Sequence, residues 1–206
     1  MAQPERDAHW EKVYREKSPD AVSWYQASPE PTLNALDQLG VDPRSSLIDI
    51  GGGASTLVDA LLERGWTDLT VLDVAAPALE ASKARLGSLA DKVHWIVSDI
   101  TTWQPERTYD VWHDRAVFHF LTEPRQREAY RKALLAGLAT KGLLIMATFA
   151  LDGPDKCSGL SVQRYDAETL AHELGPQLTM IANWREQHTT PWGSHQAFNW
   201  CVFQLN

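Results

Sequence analysis

The sequence predicts one three-layer α/β/α domain, a mostly parallel seven-stranded sheet with helices on both faces, closed by an antiparallel hairpin at its C-terminal end. Three observations carry that expectation. A chain of 206 residues with 44% hydrophobic and 22% charged side chains has the composition and length of a single globular core. From residue 46 onward, short runs of Val, Ile and Leu alternate with amphipathic stretches, the pattern of parallel strands joined by crossover helices. The C-terminal part breaks that rhythm with two strand-like runs around a polar turn.

Taken in order, residues 1–45 form an N-terminal cover segment and residues 46–206 the core of one domain spanning 1–206. The cover holds one helix, carrying Leu33, Leu36 and Leu39, and an aromatic stretch, Val22-Ser23-Trp24-Tyr25-Gln26. Ser46 to Ile50 is the first strand; it ends at Gly51-Gly52-Gly53, after which Leu57, Val58, Leu61 and Leu62 recur at helical spacing until Gly65. Leu69 to Asp73 is the second strand, followed by a helix that Pro77 opens and that runs to about Leu86. Val93 to Val97 and Tyr109 to His113 are the third and fourth. Pro124 then opens a helix whose Tyr130, Leu134, Leu135 and Leu138 share a face until Lys141-Gly142, and Leu143 to Phe149 is the fifth strand. Ala150 to Arg164 shows no period and contains Gly153, Pro154 and Gly159, which reads as a lid or pocket wall. Asp166 caps a helix to about Leu174, and Leu178 to Glu186 and Gln196 to Leu205 are the arms of the hairpin.

Composition excludes several classes. Nineteen Lys and Arg against 27 Asp and Glu give a net charge of −8, which repels a phosphate backbone, and the most basic stretch, Arg125 to Lys132, is interrupted by Glu128. No nucleic acid partner is expected. The apolar run Leu143 to Leu151 is under half of the ~20 residues a membrane span needs, so no membrane partner is expected either. The start MAQPERDAHWEK lacks the apolar core of a secretory signal, and Cys157 and Cys201 form no framework of spacings, which together imply a cytoplasmic protein. The spacings His113 to His119 and His188 to His195 match no common metal pair, so no metal is expected.

The chemistry concentrates at the strand ends. A glycine turn between a strand and a helix brings backbone N–H groups and the positive end of the helix dipole close to a ligand, and Gly51, Gly52 and Gly53 provide one. Asp73, followed by Val74, ends the second strand, where a carboxylate accepts hydrogen bonds from both hydroxyls of a ribose. Asp99 ends the third strand, where it can meet an adenine amino group while Ile100 covers the ring. Any one of these alone is matched by an ordinary tight turn or strand-end residue. Three in register, at the carboxyl edge of neighbouring strands, read as a nucleoside site.

The segment Leu47-Ile48-Asp49-Ile50-Gly51-Gly52-Gly53-Ala54-Ser55 resembles the first motif of the class I S-adenosylmethionine-dependent methyltransferases, with Asp49 at the usual acidic position two before the first glycine and Ser55 departing from a third glycine that many members carry. Asp73 resembles that family's ribose-binding acid, and Asp99 with Ile100 its adenine-contacting pair. The resemblance implies a Rossmann-like fold and S-adenosyl-L-methionine as co-substrate. It also implies cofactor contacts from Asp49, Gly51, Gly52, Gly53, Asp73, Val74, Asp99 and Ile100, and an N-terminal cover that places Trp24 and Tyr25 over the cofactor, where aromatic faces attract a sulfonium cation. A nicotinamide dehydrogenase needs G-x-G-x-x-G, and the sixth positions counted from Gly51 and Gly53 are Thr56 and Val58.

The run His113-Asp114-Arg115 follows the fourth strand where the family lines its transfer site, and supplies the candidate catalytic residues. His113 or Asp114 can accept a proton, and Arg115 can pair with an anionic acceptor or fix Asp114. Trp112 and Phe118 read as packing residues, His119 as a structural histidine, His188 and His195 as surface groups within reach of the pocket mouth, and Cys157 as a free loop thiol. Absence of a large accessory domain favours a small-molecule acceptor, methylated in line on S, N or O. A protein side-chain methyltransferase and a nucleoside-binding regulatory protein without turnover remain the alternatives. The acceptor atom and the oligomeric state are open at this point.

Overall fold

The computed structural model describes residues 3–206. Its elements are α1 (Gln3–Glu16), a short 3-10 turn (Pro19–Ala21), α2 (Glu30–Gln38), β1 (Leu47–Ile50), α3 (Leu57–Glu63), β2 (Leu69–Asp73), α4 (Ala76–Leu86), β3 (Val93–Val97), β4 (Tyr109–Arg115), α5 (Pro124–Gly137), β5 (Leu138–Phe149), β6 (Lys156–Cys157), β7 (Leu160–Ser161), α6 (Ala167–Leu174), β8 (Leu178–Thr189) and β9 (His195–Leu205). Seven strands make one sheet in the order β3-β2-β1-β4-β5-β9-β8. The first five are parallel to their neighbours, β9 runs antiparallel to β5, and β8 antiparallel to β9.

The apolar runs read in the sequence are central because both of their faces are covered. Every residue of β1 and β2 is buried, as expected of parallel strands sandwiched between helices. Alternation along each strand divides the core in two. Leu47 and Val111 face a cluster closed by α2, α3 and α4 through Leu33, Leu36, Leu57, Leu61 and Leu79. Ile48, Ile50 and Trp112 face a second cluster closed by α5 and α6 through Tyr130, Leu134, Leu170 and Leu174. The strand order reverses between β1 and β4, which opens a crevice at their carboxyl ends.

Four boundaries differ from the sequence reading. The cover contains a second helix, α1, whose apolar side is only Trp10, Val13 and Tyr14 and whose exposed side is laced by the pairs Glu11–Arg15 and Lys12–Glu16; so little apolar surface leaves no periodic signal. α5 stops at Gly137 and β5 begins at Leu138, which pairs with Tyr109 across an irregularity in register. Leu138 is buried in either conformation, so the helical period could not locate the switch. The segment 150–164 is not wholly irregular: β6 and β7 form a hairpin turned by Ser158 (φ 50°) and Gly159 (φ 79°), two left-handed residues as a tight two-residue turn requires. β4 runs to Arg115, so the candidate catalytic run lies on the strand itself. Among the described residues, no helix is long and apolar enough to cross a membrane.

Asp166 caps α6, its side chain accepting from the Thr169 backbone N–H at 2.8 Å. Asp166→Ala is expected to lower stability, read as a shift of the urea midpoint to lower concentration at unchanged slope; no shift would mean that the cap carries none of the helix.

Candidate active site

The crevice at the carboxyl ends of β1 to β4 is shaped first by the glycine turn. Gly51 has φ 67°, and a Cβ there would overlap the Val117 side chain; a Cβ on Gly52 would run into the Asp49 carboxylate, and one on Gly53 into that of Asp73. The backbone therefore lies directly on two acidic side chains. Asp49 is balanced by His113, whose Nδ1 donates to Asp49 Oδ1 at 2.7 Å while Nε2 meets the Thr32 hydroxyl at 3.0 Å. Asp73 Oδ1 accepts from the Ala75 N–H at 2.8 Å. Burial, reinforced by the nearby Asp49 charge and opposed by backbone hydrogen bonds, pushes its carboxyl up to about 7. Asp99 Oδ1 accepts from the Thr101 N–H and hydroxyl, each at 2.7 Å, next to the buried Ile100.

Two cavities open here. One, of about 100 Å³, is lined by Asp73, Val74, Ser98, Asp99 and Ile100 on one side and by Trp10, Tyr14, Trp24 and Phe120 on the other. The second, of about 60 Å³, is lined by Asp49, Gly51, Gly52, Thr56, His113, Tyr25 and Gln26. They share Gly51, Tyr14, Trp24 and Arg115. Over them lies the strap 22–26, tied down from β4, β8 and the turn before α3: His188 Nε2 to Ser23 O at 2.8 Å, Arg115 Nη1 to Trp24 O at 2.8 Å, Thr56 Oγ1 to Gln26 O at 3.0 Å, and Gln26 Nε2 to Glu186 Oε1 at 3.2 Å. Trp24 is in turn wedged edge-on against Trp10, with ring centres 5.6 Å apart, and Tyr14, at 6.4 Å.

This crevice is matched by known proteins. The family model described as a methyltransferase domain matches residues 47–139, the stretch that carries the glycine turn, Asp73, Asp99 and the end of β4. The solved structure of a Burkholderia thailandensis 1,6-didemethyltoxoflavin-N1-methyltransferase, with that compound and S-adenosylhomocysteine bound, superposes with a TM-score of 0.76 over 100% of this chain and 91% of its own, at 18% identity. Residues 47–139 thus match a methyltransferase domain, and the chain as a whole has the fold of S-adenosylmethionine-dependent methyltransferases. Among curated relatives, a malonyl-[acyl-carrier protein] O-methyltransferase from Anoxybacillus flavithermus is 27% identical over 79% of the chain, and a mouse eEF1A lysine and N-terminal methyltransferase is 26% identical over 52%. The chain spans 62% and 15% of the lengths of those two proteins.

The residues singled out in the sequence divide by strand face. Asp49, Gly51, Gly52, Asp73, Val74, Asp99, Ile100, Trp24 and Tyr25 all line one or both cavities, as do His113 and Arg115; Gly53 lies behind, against Asp73. Asp114 does not, and its candidacy as a base is corrected here. Pointing to the opposite face of β4, it accepts from the Val117 and Phe118 N–H groups at 3.0 and 3.3 Å and from the Tyr130 hydroxyl at 2.7 Å. Burial still pushes its carboxyl up to about 6, but it anchors the turn around Ala116 (φ 69°) and reaches no cavity. Nor does Arg115 fix Asp114, since consecutive strand residues face opposite ways. His113 lines the second cavity with both ring nitrogens already engaged.

Trp112 and Phe118 are core residues with no exposed surface. His119 is buried as well, which drops its pKa to about 3 and leaves it neutral, its Nδ1 accepting from the Phe149 N–H at 3.3 Å. Cys157 lines the first cavity, where burial pushes its thiol up to about 11. His195 Nδ1 meets the Thr189 hydroxyl at 3.3 Å. Sequence reasoning missed Trp10 and Tyr14 as walls, and Glu186 and His188 as strap anchors. The i, i+4 spacing of Trp10 and Tyr14 was the available signal for the first pair; nothing local marks the second. Among the described residues, no group of three or more His, Cys, Asp or Glu is placed to hold a metal ion.

Two outcomes follow from this geometry. A carboxyl raised from about 3.9 in the unfolded chain to about 7 when folded binds its proton more tightly in the native state, so its contribution to stability is full below about pH 4 and is lost as pH rises through about 7. Asp73→Asn should therefore gain melting temperature relative to wild type as pH goes from 4 to 8 without ligand; parallel curves would contradict the buried carboxylate. Tyr130→Phe leaves both Asp114 Oδ2 and Trp112 Nε1, which donates to the same hydroxyl at 3.0 Å, without that partner. It should cost about 3 kcal/mol in urea unfolding.

Proposed function

We propose that this protein transfers the methyl group of S-adenosylmethionine to a small-molecule acceptor. The observation that carries the reading is the pair of cavities that meet at Gly51, Tyr14, Trp24 and Arg115 beneath the strap, with Asp73 and Asp99 in one and the glycine turn in the other. In this reading Asp73 accepts from the ribose hydroxyls with Val74 beside it, and Asp99 and Ile100 hold the adenine. The turn Gly51–Gly53 with Asp49 takes the amino-acid end. The donor fits the residues present: a buried carboxylate held up to about 7 gains most from two new hydroxyl donors, and the aromatic faces of Trp24 and Tyr25 suit a sulfonium.

The donor supplies an electrophilic methyl group, which passes to the acceptor's lone pair as the S–CH3 bond breaks, with S-adenosylhomocysteine as the other product. The protein's part is alignment and exclusion of water. Trp24 and the strap close the junction of the cavities, and Arg115 ties the strap to β4. His113 keeps Asp49 in place, and no proton transfer is assigned to Asp114. A small acceptor is supported by the Burkholderia structure, which holds 1,6-didemethyltoxoflavin beside S-adenosylhomocysteine. The mouse relative supports a protein side chain as the second reading. The acceptor atom is S, N or O. Two free, buried cysteines suit a cytoplasmic setting.

Calorimetry tests the donor. S-adenosylhomocysteine should bind saturably and NAD should not, and Asp73→Ala should weaken S-adenosylhomocysteine by about 1.5 to 3 kcal/mol while the far-ultraviolet dichroism stays that of the wild type. Saturable NAD binding with none of S-adenosylhomocysteine would sink the assignment. Tyr25→Ala should lower the single-turnover rate more than it lowers the melting temperature, because a ring that seals a cavity acts in the transition state and adds little to the core.

A further inference from the structure

Arg115 is built into the junction of the two cavities with half of its guanidinium unused. Nη1 is committed to the Trp24 carbonyl at 2.8 Å, and Cζ sits 4.7 Å from the centre of the Phe198 ring, which fixes the plane. Nε and Nη2 are buried and have no hydrogen-bond partner among the described residues. Those two N–H groups form the parallel edge of a guanidinium, the edge that grips both oxygens of a carboxylate. A buried cation with idle donors is costly unless something fills them.

The neighbouring groups do not fill them. Glu186, the nearest counter-charge by its influence on Arg115, has Oε2 held by Trp200 Nε1 at 2.6 Å and Oε1 by Gln26 Nε2 at 3.2 Å. Cys157 is a neutral thiol, and Asp49 is engaged with His113. The rest of the junction is the Gly51 backbone and the rings of Tyr14 and Trp24. Outside the strap a third cavity, of about 410 Å³, shares Trp24 with both inner ones and is lined by His9, Lys12 and Lys17, with Glu16 offsetting one charge. On a chain of net charge −8, that is a local positive approach for an anion.

We propose that the methyl acceptor is a small carboxylic acid with an apolar or aromatic body, and that Arg115 selects it by holding its carboxylate edge-on through Nε and Nη2. The proposal rests on the methyltransferase reading of the site. The donor also carries a carboxylate, so the test separates the two sources.

Protein saturated with S-adenosylhomocysteine is titrated with benzoate, phenylacetate and hexanoate and with the corresponding uncharged amides. At least one acid should bind, at least tenfold more tightly than its amide. Arg115→Gln should lose at least tenfold more affinity for that acid than for its amide and so abolish the acid-over-amide preference, whereas Arg115→Lys, which keeps the charge without the planar edge, should recover part of it. Acids that fail to bind wild type, or that bind no better than their amides, overturn the proposal. So does an Arg115→Gln protein that keeps its acid preference while losing S-adenosylhomocysteine tenfold, because the anion would then be the donor's own. Equal loss for acid and amide overturns it too, by showing a structural role only. Failure of wild type to bind S-adenosylhomocysteine defeats the underlying function instead.

Discussion

The contact between the backbone of Gly52 and Gly53 and the carboxylates of Asp49 and Asp73 governs the rest of the site. It exists only because neither residue carries a Cβ, and it forces each carboxylate into surroundings with little water. The molecule handles the two differently. Asp49 is satisfied from within by His113, itself braced by Thr32 of α2, so one carboxylate is spent on locking the turn to β4 and the cover. Asp73 keeps a raised pKa and faces the cavity. The far side of the turn is clamped as well: Ser82 Oγ donates to Gly53 O at 2.7 Å, and Arg85 donates to Ser55 O at 2.6 Å while paired with Asp59. A loop held on both sides is preorganised, and a ligand that binds it does not bear the entropy of ordering it.

Strand alternation then distributes the work along β4. Trp112 and Asp114 look toward α5, where Tyr130 joins them in a closed chain of hydrogen bonds. His113 and Arg115 look toward the cavities. Four consecutive residues thus serve two ends, one face holding the turn after β4 rigid and the other meeting the ligand. The rigid face matters to the other because Ala116 sits at φ 69°, a conformation costly for a residue with a Cβ, and the two hydrogen bonds that Asp114 accepts from the Val117 and Phe118 N–H groups hold the chain there.

Most of the sheet was legible because its signals are local. Hydrophobic runs, Pro77 and Pro124 at helix starts, and the Asp166 cap each act within a few residues, and the observed β2 and β3 coincide with the runs read at 69–73 and 93–97. The glycine turn and its two aspartates were visible for the same reason. What stayed hidden depends on distance or on weak pattern. His188 and Glu186 reach the strap across more than 150 residues of chain, and no spacing foretells that. α1 has too narrow an apolar side to register. The face of β4 on which Asp114 falls was in principle readable from period 2, since Val111 and His113 alternate with Trp112; the motif drew attention to the whole run instead of to every second residue.

The way the strap is held bears on how such a site can open. Its backbone is fastened by polar bonds to β4, β8 and the turn before α3, and its apolar content is small: the buried Val22, Tyr25, and Trp24 seated against Trp10 and Tyr14. Hydrogen bonds exchanged for water are worth about 1 kcal/mol each in net terms, and a partly buried indole adds a few more, so closure is a matter of several kcal/mol and not of the global stability. An apolar cover of the same length would hold more tightly and release product more slowly. A wholly polar one would let water into the junction, where a sulfonium needs a dry aromatic wall. A few apolar side chains over a hydrogen-bonded frame meet both demands, and Arg115 belongs to each, gripping the strap with one nitrogen and turning its other edge to the cavity.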